Sequence, residues 1–529
     1  MRISTQQYFE TSSTKYQENY SSVVKAQDQA SSGVRVQTAA DDPVAAARLL
    51  MLQQQKDMLG QYNTNIDTLK NSLQTEDSVL QNINTAIQRA SELALKAGNV
   101  GISDADRKST AAEIGALEDQ IMGLLNTKDA SGNYLFSGSK TDTPPYTRNN
   151  DGTYTYQGDD TALNLRVAEN LSVPMGDTAK KMLETSANTG RTQATPVLVP
   201  PAVDDGKVTI SAGLIASGVD VKFADGQPYT LKFLSSTQYT VSDSTGKDIT
   251  SEIAGNGTFD STKEGGSTIS LRGVKFDIGL NLGKDVLPGA PSDALVKDRE
   301  FTLALKPDSF SVSRTASNPS AAQLTGGSVS DPAAYASTFP NSGLVVKFGA
   351  GGSYNVYAQP YTADSKSIAN DTLAAGATSI TVAGVTLGVT TAPAPADGDQ
   401  FLVGATSNKN ENVLDTLGRL RRTLETPSDG NPAAQKELKD VVARSIGNLT
   451  NAYSQIDQVR GDIGARLNTL DIQSAENTSL SLANATTMSS LGNVDFAEAA
   501  INLSLQQTML QASQLAFVKI SQLSLFNKM

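Results

Sequence analysis

The chain has 529 residues and contains no cysteine, no histidine and no tryptophan. Without thiolate or imidazole groups it cannot use Ser–His or Cys–His catalysis, a cysteine–histidine zinc site or a thiol–disulfide switch. Its 43 basic and 55 acidic residues give a net charge of −12, which disfavours nucleic acid and anionic membranes as partners. Only carboxylate chemistry and oxygen-ligand calcium sites stay possible, so we expect a protein that is not an enzyme and needs no cofactor.

The first long helix is predicted between two boundary signals. Asp42-Pro43 supplies an N-cap and a proline at the first helical position, and Gly98-Asn99 supplies a stop. Between them, apolar residues recur at alternating spacings of three and four, which is the heptad pattern of a coiled coil. Glu76 is the one charge in this seam, and it indicates either a register-setting or partner-facing position or an exposed point. The seam residues that we single out are Leu59, Tyr62, Ile66, Leu69, Leu73, Leu80, Ile83 and Ile87.

The C-terminal part mirrors the first, after a second helix predicted to start at Ser103. Asn431-Pro432 predicts another long helix, and Asp495 with Glu498 predicts a last one. The last helix is apolar on two faces, so it needs partners on both sides, and at a chain end these are expected to be neighbouring copies. The seam of the long helix contains Leu449, Ile456, Val459 and Ile463. The two faces of the last helix carry Leu503, Leu510 and Phe517, and Leu505, Met509, Ile520 and Leu523.

Between about 134 and 406 the apolar spacing changes to two, as in β-strands. Three pairs of similar segments within this region predict an internal duplication. Residues 217–223 are similar to 342–348, Gly273-Val274 to Gly384-Val385, and 301–303 to 401–403. Chance similarity between β-rich segments is the alternative, and two superimposable subdomains would decide between them.

These patterns predict an α+β multidomain protein: a long antiparallel helical coiled-coil bundle from both chain ends, with β-rich subdomains inserted in the middle. Terminal helical assembly segments are expected at 1–42 and 485–529, and a helical bundle core with a β-hairpin at 43–190 and 409–484. The two β-rich insert subdomains are expected at 191–310 and 311–408.

The helical ends resemble the flagellin superfamily. Residues 31–50 are similar to its N-terminal signature, in which a Ser-Ser-Gly turn and a basic residue precede Asp-Asp and a helix. Residues 495–526 are similar to the last helix of flagellin. The opening Met1–Thr5, the segment 133–146 and the ending 523–526 resemble the branch of the superfamily that forms the junction between hook and filament. The resemblance covers 1–185 and 409–529, and the insert between them is larger than in the smallest members.

This resemblance implies a structural, non-catalytic subunit that self-assembles as a ring in the bacterial flagellum. It implies an extracellular location, reached by unfolded type III export without a cleaved signal peptide, with an export chaperone beforehand. The implied partners are hook-associated protein 1, flagellin and copies of the chain itself, and they include neither nucleic acid nor a membrane. The terminal segments are implied to be disordered in the free monomer and to pair on assembly.

We therefore expect the segment from Ile3 to about Val36 to pair with 496–526 at subunit boundaries. The candidate assembly residues are apolar positions of the terminal helices: Ile3, Tyr8, Val23, Leu503, Leu505, Met509, Leu510, Leu515, Phe517, Ile520 and Leu523.

Two other functions stay open. A flagellin-type filament subunit would share both helical ends, and a secreted adhesin or carboxylate-based glycan-active protein would use the β-rich middle. Arg460-Gly461-Asp462 spells an adhesive tripeptide, but its place between seam residues predicts a helix. Asp159-Asp160 and Asp204-Asp205 are expected to form solvated turns, because no calcium-ligand loop accompanies them.

Overall fold

The computed structural model describes residues 5–99, 101–149, 152–198, 204–215, 220–263, 266–282, 290–340, 342–362, 364–406 and 408–526. The helices within these ranges are α1 (Thr5–Ser32), α2 (Pro43–Ala97), α3 (Asp104–Leu125), α4 (Asp220–Ala224), α5 (Ala290–Val296), α6 (Pro332–Thr338), α7 (Val413–Glu425), α8 (Pro432–Gly492) and α9 (Phe496–Phe526). Long helices at both ends and antiparallel sheets in the middle confirm the predicted fold class.

Local chemistry explains where the long helices begin. Each of the four predicted N-cap residues accepts a backbone N–H of its first turn with a side-chain oxygen, which satisfies a donor that the helix itself leaves unpaired. The pairs are Asp42 with Ala45, Ser103 with Asp106, Asn431 with Ala433 and Asp495 with Ala497. The predicted starts of α2, α3, α8 and α9 are therefore confirmed.

The chain divides into two compact units. The first contains Met1–Thr75, Leu163–Met175 and Asp462–Met529, and the second contains Glu76–Ala162 and Gly176–Gly461. In the first unit α2 and α8 lie side by side, with Lys70 Nζ 2.7 Å from Asp471 Oδ1. The hairpin of β3 (Asn164–Ala168) and β4 (Leu171–Pro174) lies on this pair, because Asn477 Nδ2 donates to the Val167 carbonyl at 3.1 Å.

The second unit contains a helical part in which α3 packs along α7. Glu118 of α3 lies inside this contact and is 1% exposed. Its Oε2 accepts a hydrogen bond from Arg421 Nε of α7 at 2.9 Å, and its Oε1 accepts one from Tyr154 Oη at 2.6 Å. A buried charge with partners on a neighbouring helix and strand fixes how these elements meet. Tyr154 begins β2 (Tyr154–Tyr156), which pairs with β1 (Tyr146–Arg148).

Asp415 is a half-buried residue in the first turn of α7. Burial raises its pKa to about 6, although its Oδ1 accepts the backbone N–H of Tyr154 at 3.2 Å, which opposes the shift. The native chain therefore holds a proton between about pH 4 and pH 6 that the unfolded chain releases.

We expect this carboxyl to make the protein less stable as the pH rises through that window. The stabilisation is complete below about pH 4, the unfolded value, and is lost as the pH rises through about 6, by about 3 kcal/mol at most. Asp415→Asn should remove this dependence and raise the urea midpoint at pH 8, while the exposed Asp67→Asn should not. Urea unfolding at pH 5 and pH 8, followed by circular dichroism, measures it, and the same pH dependence in Asp415→Asn would contradict it.

The first β-rich region consists of two antiparallel layers. One has the strand order β5-β12-β8-β9 and the other β10-β11-β6, with β7 also paired to β11. Phe223, Phe233 and Phe276 are fully buried in the core between them. The strands are β5 (Thr192–Val197), β6 (Val208–Ile210), β7 (Leu214–Ile215), β8 (Tyr229–Phe233), β9 (Tyr239–Ser242), β10 (Ser267–Leu271), β11 (Val274–Leu280) and β12 (Glu300–Leu305).

The second β-rich region also has two antiparallel layers. Their strand orders are β13-β20-β15-β16-β17 and β14-β19-β18, around a core that contains Phe348, Tyr354 and Phe401. The strands are β13 (Ser309–Arg314), β14 (Leu324–Val329), β15 (Leu344–Phe348), β16 (Ser353–Ala358), β17 (Ala369–Thr372), β18 (Ser379–Val382), β19 (Val385–Val389) and β20 (Gln400–Thr406).

Both regions share one topology. In each, the first strand pairs with the last, the last pairs with a central hairpin, and a second hairpin joins the remaining strand in the other layer. The second hairpins turn through the same two-residue backbone, with positive φ at Arg272-Gly273 and at Ala383-Gly384. Positive φ at both turn residues matches the twist of paired strands. The shared topology supports the predicted duplication, and the boundaries at 310 and 408 remain predictions.

Two of the three pairs of similar segments lie at equivalent strands of the two regions, and one pair does not. Gly273 and Gly384 directly precede β11 and β19, and 301–303 and 401–403 lie in β12 and β20. The correspondence of 217–223 with 342–348 is wrong, because 220–224 form α4 whereas 344–348 form β15. Residues 217–219 lie outside the described residues. The alternating apolar pattern of a strand and a short run in one helical turn cannot be distinguished over so few residues.

Candidate assembly interface

The two terminal helices pack against each other within one chain, in the first unit. Phe496, at the start of α9, lies near Gly33, at the end of α1, and Phe517 stacks on Tyr16 with ring centroids 6.1 Å apart. The helices therefore run antiparallel. Along α1 the covered positions are spaced alternately by three and four: Ser12, Tyr16, Asn19, Val23, Ala26 and Ala30. Along α9 they are Ala499, Leu503, Gln506, Leu510, Ser513 and Phe517.

The opposite side of α9 is apolar and uncovered. Ile501 is 71% exposed, Leu505 53% and Leu515 68%. We call Ile501, Leu505, Met509, Leu515 and Val518 the outer face of α9; all five are exposed. A helix of a soluble monomer rarely leaves such a surface to water, and a contiguous apolar patch of this kind marks an interaction site.

A backbone clamp joins the end of α1 to the start of α9. Val34 and Asn493 form an antiparallel bridge, Arg35 N donates to the Gly492 carbonyl at 2.6 Å, and Arg35 Nη2 donates to the Leu491 carbonyl at 2.8 Å. Gly33, which precedes the bridge, has φ +71°, so α1 ends in a left-handed residue that favours glycine. The Ser-Ser-Gly turn and the basic residue of the N-terminal signature thus have a structural role.

The Asp-Asp pair of the same signature fixes the turn between α1 and α2. Asp41 forms an ion pair with Lys25 and accepts the backbone N–H of Thr38 at 2.8 Å. The hydrogen bond from Lys25, followed by that from Thr38, lowers the pKa of Asp41 to about 2. Arg35 and Asp41 lie within the N-terminal signature at 31–50, but they were not among the expected interface residues. Their spacing relative to Gly33 was the signal that could have identified them.

The structure distributes the predicted assembly residues over both sides of the helix pair. Val23, Leu503, Leu510 and Phe517 lie on the covered side, whereas Leu505, Met509 and Leu515 lie on the outer face of α9. Ile3 lies outside the described residues, and Tyr8, Ile520 and Leu523 are described only as positions on α1 and α9. The first group therefore has a partner within the chain, and only the second needs one from elsewhere.

The predicted seam residues lie on the buried sides of α2 and α8. All except Leu59, which is half-buried, are buried: Tyr62, Ile66, Leu69, Leu73, Leu80, Ile83, Ile87, Leu449, Ile456, Val459 and Ile463. Glu76 is also buried, and its Oε1 accepts the backbone N–H of Asp177 at 3.0 Å. The expectations that Glu76 is exposed or faces a partner are thus wrong, because a segment 101 residues later in the same chain covers it.

Other candidate residues have structural partners. The Arg460-Gly461-Asp462 tripeptide lies inside α8, where Arg460 Nε donates to Asp77 Oδ1 at 2.8 Å. Asp160 pairs with Lys180 at 2.7 Å, and Asp205 with Arg299 at 2.6 Å, so these carboxylates already have cationic partners. Within the described ranges, the acidic side chains form no group of three or more suited to a metal ion. No helix in the described part of the chain combines the length and apolar composition needed to cross a bilayer.

Comparison with known proteins finds a match for each helical end. The bacterial flagellin N-terminal helical region matches residues 3–141, and the bacterial flagellin C-terminal helical region matches residues 446–527. Flagellar hook-associated protein 3 of Salmonella typhimurium is 33% identical over 182 residues, which are 34% of this chain and 56% of that protein. Flagellin of Bacillus subtilis is 33% identical over 128 residues, which are 24% of this chain and 42% of that protein.

The chain therefore spans about half the length of the curated relatives it matches. The crystal structure of flagellar hook-associated protein 3 from Legionella pneumophila is 20% identical in sequence, with a TM-score of 0.50. That similarity covers 83% of this chain and 98% of the Legionella chain, and it shows a shared fold.

Proposed function

We propose that this chain is a structural subunit at the junction between hook and filament, since both of its helical ends match the terminal helical regions of bacterial flagellin and part of the chain is similar to flagellar hook-associated protein 3. The outer face of α9 supports this proposal most directly. Copies that bury this face against one another would remove exposed apolar surface from water, at roughly 25 cal/mol per Å². The clamp at Gly33 and Arg35 holds α1 and α9 together, so each copy presents them as one element.

The junction is favoured over the filament by the extent of similarity. The similarity to hook-associated protein 3 covers 34% of this chain, whereas that to flagellin covers 24%. By this proposal the partners are hook-associated protein 1 on the hook side, flagellin on the other and copies of the chain in a ring, with an export chaperone before secretion. The chain would reach the extracellular flagellum by type III export without a cleaved signal and would have no enzymatic activity.

The predicted domain boundaries fit the same proposal. The terminal segments 1–42 and 485–529 would form the assembly surface, and the two β-rich subdomains, 191–310 and 311–408, would be inserted in the bundle at 43–190 and 409–484. An adhesive or glycan-active role would require only the subdomains.

Electron microscopy of flagella with the protein labelled by gold-conjugated antibody tests this proposal. We expect label in one band at the hook tip, and a strain that lacks the protein should have hooks without filaments and release flagellin into the medium. Complementation with the wild-type chain is the control. Label along the whole filament would instead support a filament subunit, and label elsewhere on the cell surface would support an adhesin.

A further inference from the structure

A cleft in the second unit lies between the first β-rich region and the start of α8. Its volume is about 520 Å³, and its lining includes Thr209, Ser211, Gly213, Lys263, Lys439 and Arg444. Gly213 has φ +83°, and a Cβ there would lie 2.5 Å from the Phe276 ring, so the wall needs glycine at this position. The shape of the cleft thus depends on a specific glycine in its wall, and its volume is large enough for a small molecule.

One wall of the cleft is cationic. Arg444 Nε is buried and has no hydrogen-bond partner among the described residues. Gly190 packs against the side chain of Arg444, since a Cβ at 190 would lie 1.8 Å from Arg444 Cδ. Lys439 and Lys263 are exposed at the cleft and form no ion pair within the described part of the chain. Burying a guanidinium N–H without an acceptor is costly, so this wall favours an anion.

The nearby carboxylates are mostly engaged elsewhere. Of the two carboxylates that line the cleft, Asp440 lies 3.1 Å from Lys436 Nζ, and Asp277 Oδ1 accepts a hydrogen bond from Thr268 Oγ1 at 2.5 Å. Positive charge also accumulates behind the wall: burial, followed by repulsion from Arg444, lowers the pKa of Lys306 to about 8. The local excess of cations agrees with the geometric evidence for an anion site.

The other wall offers hydroxyl groups. Ser211 Oγ accepts the backbone N–H of Asp277 at 2.8 Å, which leaves its O–H available as a donor. Thr209 Oγ1 donates to the Gly279 carbonyl at 3.2 Å, which leaves its oxygen available as an acceptor. A donor and an acceptor side by side suit the hydroxyl groups of a polyol.

We propose that this cleft binds a small hydroxylated oxyanion, such as a sugar phosphate or a sugar acid, with the anionic group on Arg444, Lys439 and Lys263 and the hydroxyl groups on Thr209 and Ser211. Charge-assisted hydrogen bonds to the anion provide most of the affinity, and the hydroxyl wall provides the preference for a sugar. This site lies in the enlarged middle of the chain and is independent of the proposed junction function.

Isothermal titration calorimetry of the full chain at constant ionic strength tests the proposal. Glucose 6-phosphate and galacturonate are the two charged probes, and glucose and inorganic phosphate are the component controls. We expect at least one charged probe to bind about tenfold more tightly, or better, than either component. The double variant Lys263→Met, Lys439→Met should weaken that binding about tenfold or more, while Lys366→Met, an exposed lysine of the second β-rich region, should not.

The double variant changes only exposed side chains, so circular dichroism should show an unchanged fold. If only glucose 6-phosphate or only galacturonate binds, the result identifies which oxyanion the site selects. The proposal is overturned if neither charged probe binds, if inorganic phosphate binds as tightly as the better probe, or if the double variant binds like the wild type. Any of these failures leaves the proposed junction function untouched.

Discussion

Replacing Ile501, Leu505 and Leu515 together by glutamine should abolish junction assembly and leave the monomer folded. The three side chains are 71%, 53% and 68% exposed, so they contribute little to the stability of one chain. Burial of each in an assembled ring would contribute about 1.5–3 kcal/mol, and the loss of all three would weaken association by roughly three orders of magnitude or more. Glutamine keeps a good helix propensity, which separates loss of the apolar face from loss of the helix.

Complementation of the strain that lacks the protein measures this effect by motility and by electron microscopy of hook tips. Thermal unfolding of the purified variant should match the wild type. The double variant Gln511→Ala, Gln514→Ala, which changes exposed polar residues of the same helix, is the matched control and should assemble normally. Filaments attached normally in the triple variant would refute the role of the outer face of α9.

Deletion of 500–529 is the coarser version of the same experiment. It removes the outer face of α9 together with the residues that cover α1, so it should leave a soluble folded bundle that no longer joins filament to hook. Normal junctions formed by the truncated chain would show that α9 does not carry the assembly.

Glu118→Ala should clearly destabilise the helical part of the second unit. It removes the acceptor of Arg421 Nε and Tyr154 Oη, so the buried Tyr154 hydroxyl loses this partner and Arg421 retains only its ion pair with Glu425. Breaking a buried ion pair from one side costs about 3 kcal/mol or more. Urea unfolding at constant pH should show a clearly lower midpoint.

Glu113→Ala is a matched control on the same helix. Glu113 forms an ion pair with Arg89 at 2.7 Å, but both side chains are about half exposed. Exposed ion pairs contribute about 0–1 kcal/mol, so this midpoint should barely change. Equal losses for the two glutamates would show that burial of Glu118 is not what makes its ion pair stabilising.

The helix boundaries were predictable because the forces that set them act within one turn. Each N-cap side chain accepts a backbone N–H two or three residues ahead, so the whole interaction lies within four consecutive residues. The N-caps are Asp42, Ser103, Asn431 and Asp495. The burial of the seam, from Ile66 to Ile87, followed from periodicity for a similar reason. A stripe spaced by three and four residues needs some apolar neighbour, whichever element supplies it.

The partners of individual residues were not predictable in this way. Glu76 breaks the apolar seam, and its acceptor role toward Asp177 depends on a segment 101 residues away. The correspondence of 217–223 with 342–348 failed because a similar run of residues forms α4 in one place and β15 in the other. Such short segments take the structure that their surroundings stabilise, since their own preferences are weak.

Residue patterns alone were enough to predict helical ends, a β-rich middle and a last helix that is apolar on two faces. They did not predict that Leu503, Leu510 and Phe517 face α1 while Ile501, Leu505 and Leu515 stay uncovered, which became visible only in the folded chain. The reason is physical. Hydrophobic burial is proportional to area and has no direction, so two apolar faces of similar size give no indication of which one will be covered. The hydrogen bond from Arg35 N to the Gly492 carbonyl, next to this helix pair, also joins residues far apart in the chain, so the pattern of α9 alone does not reveal it.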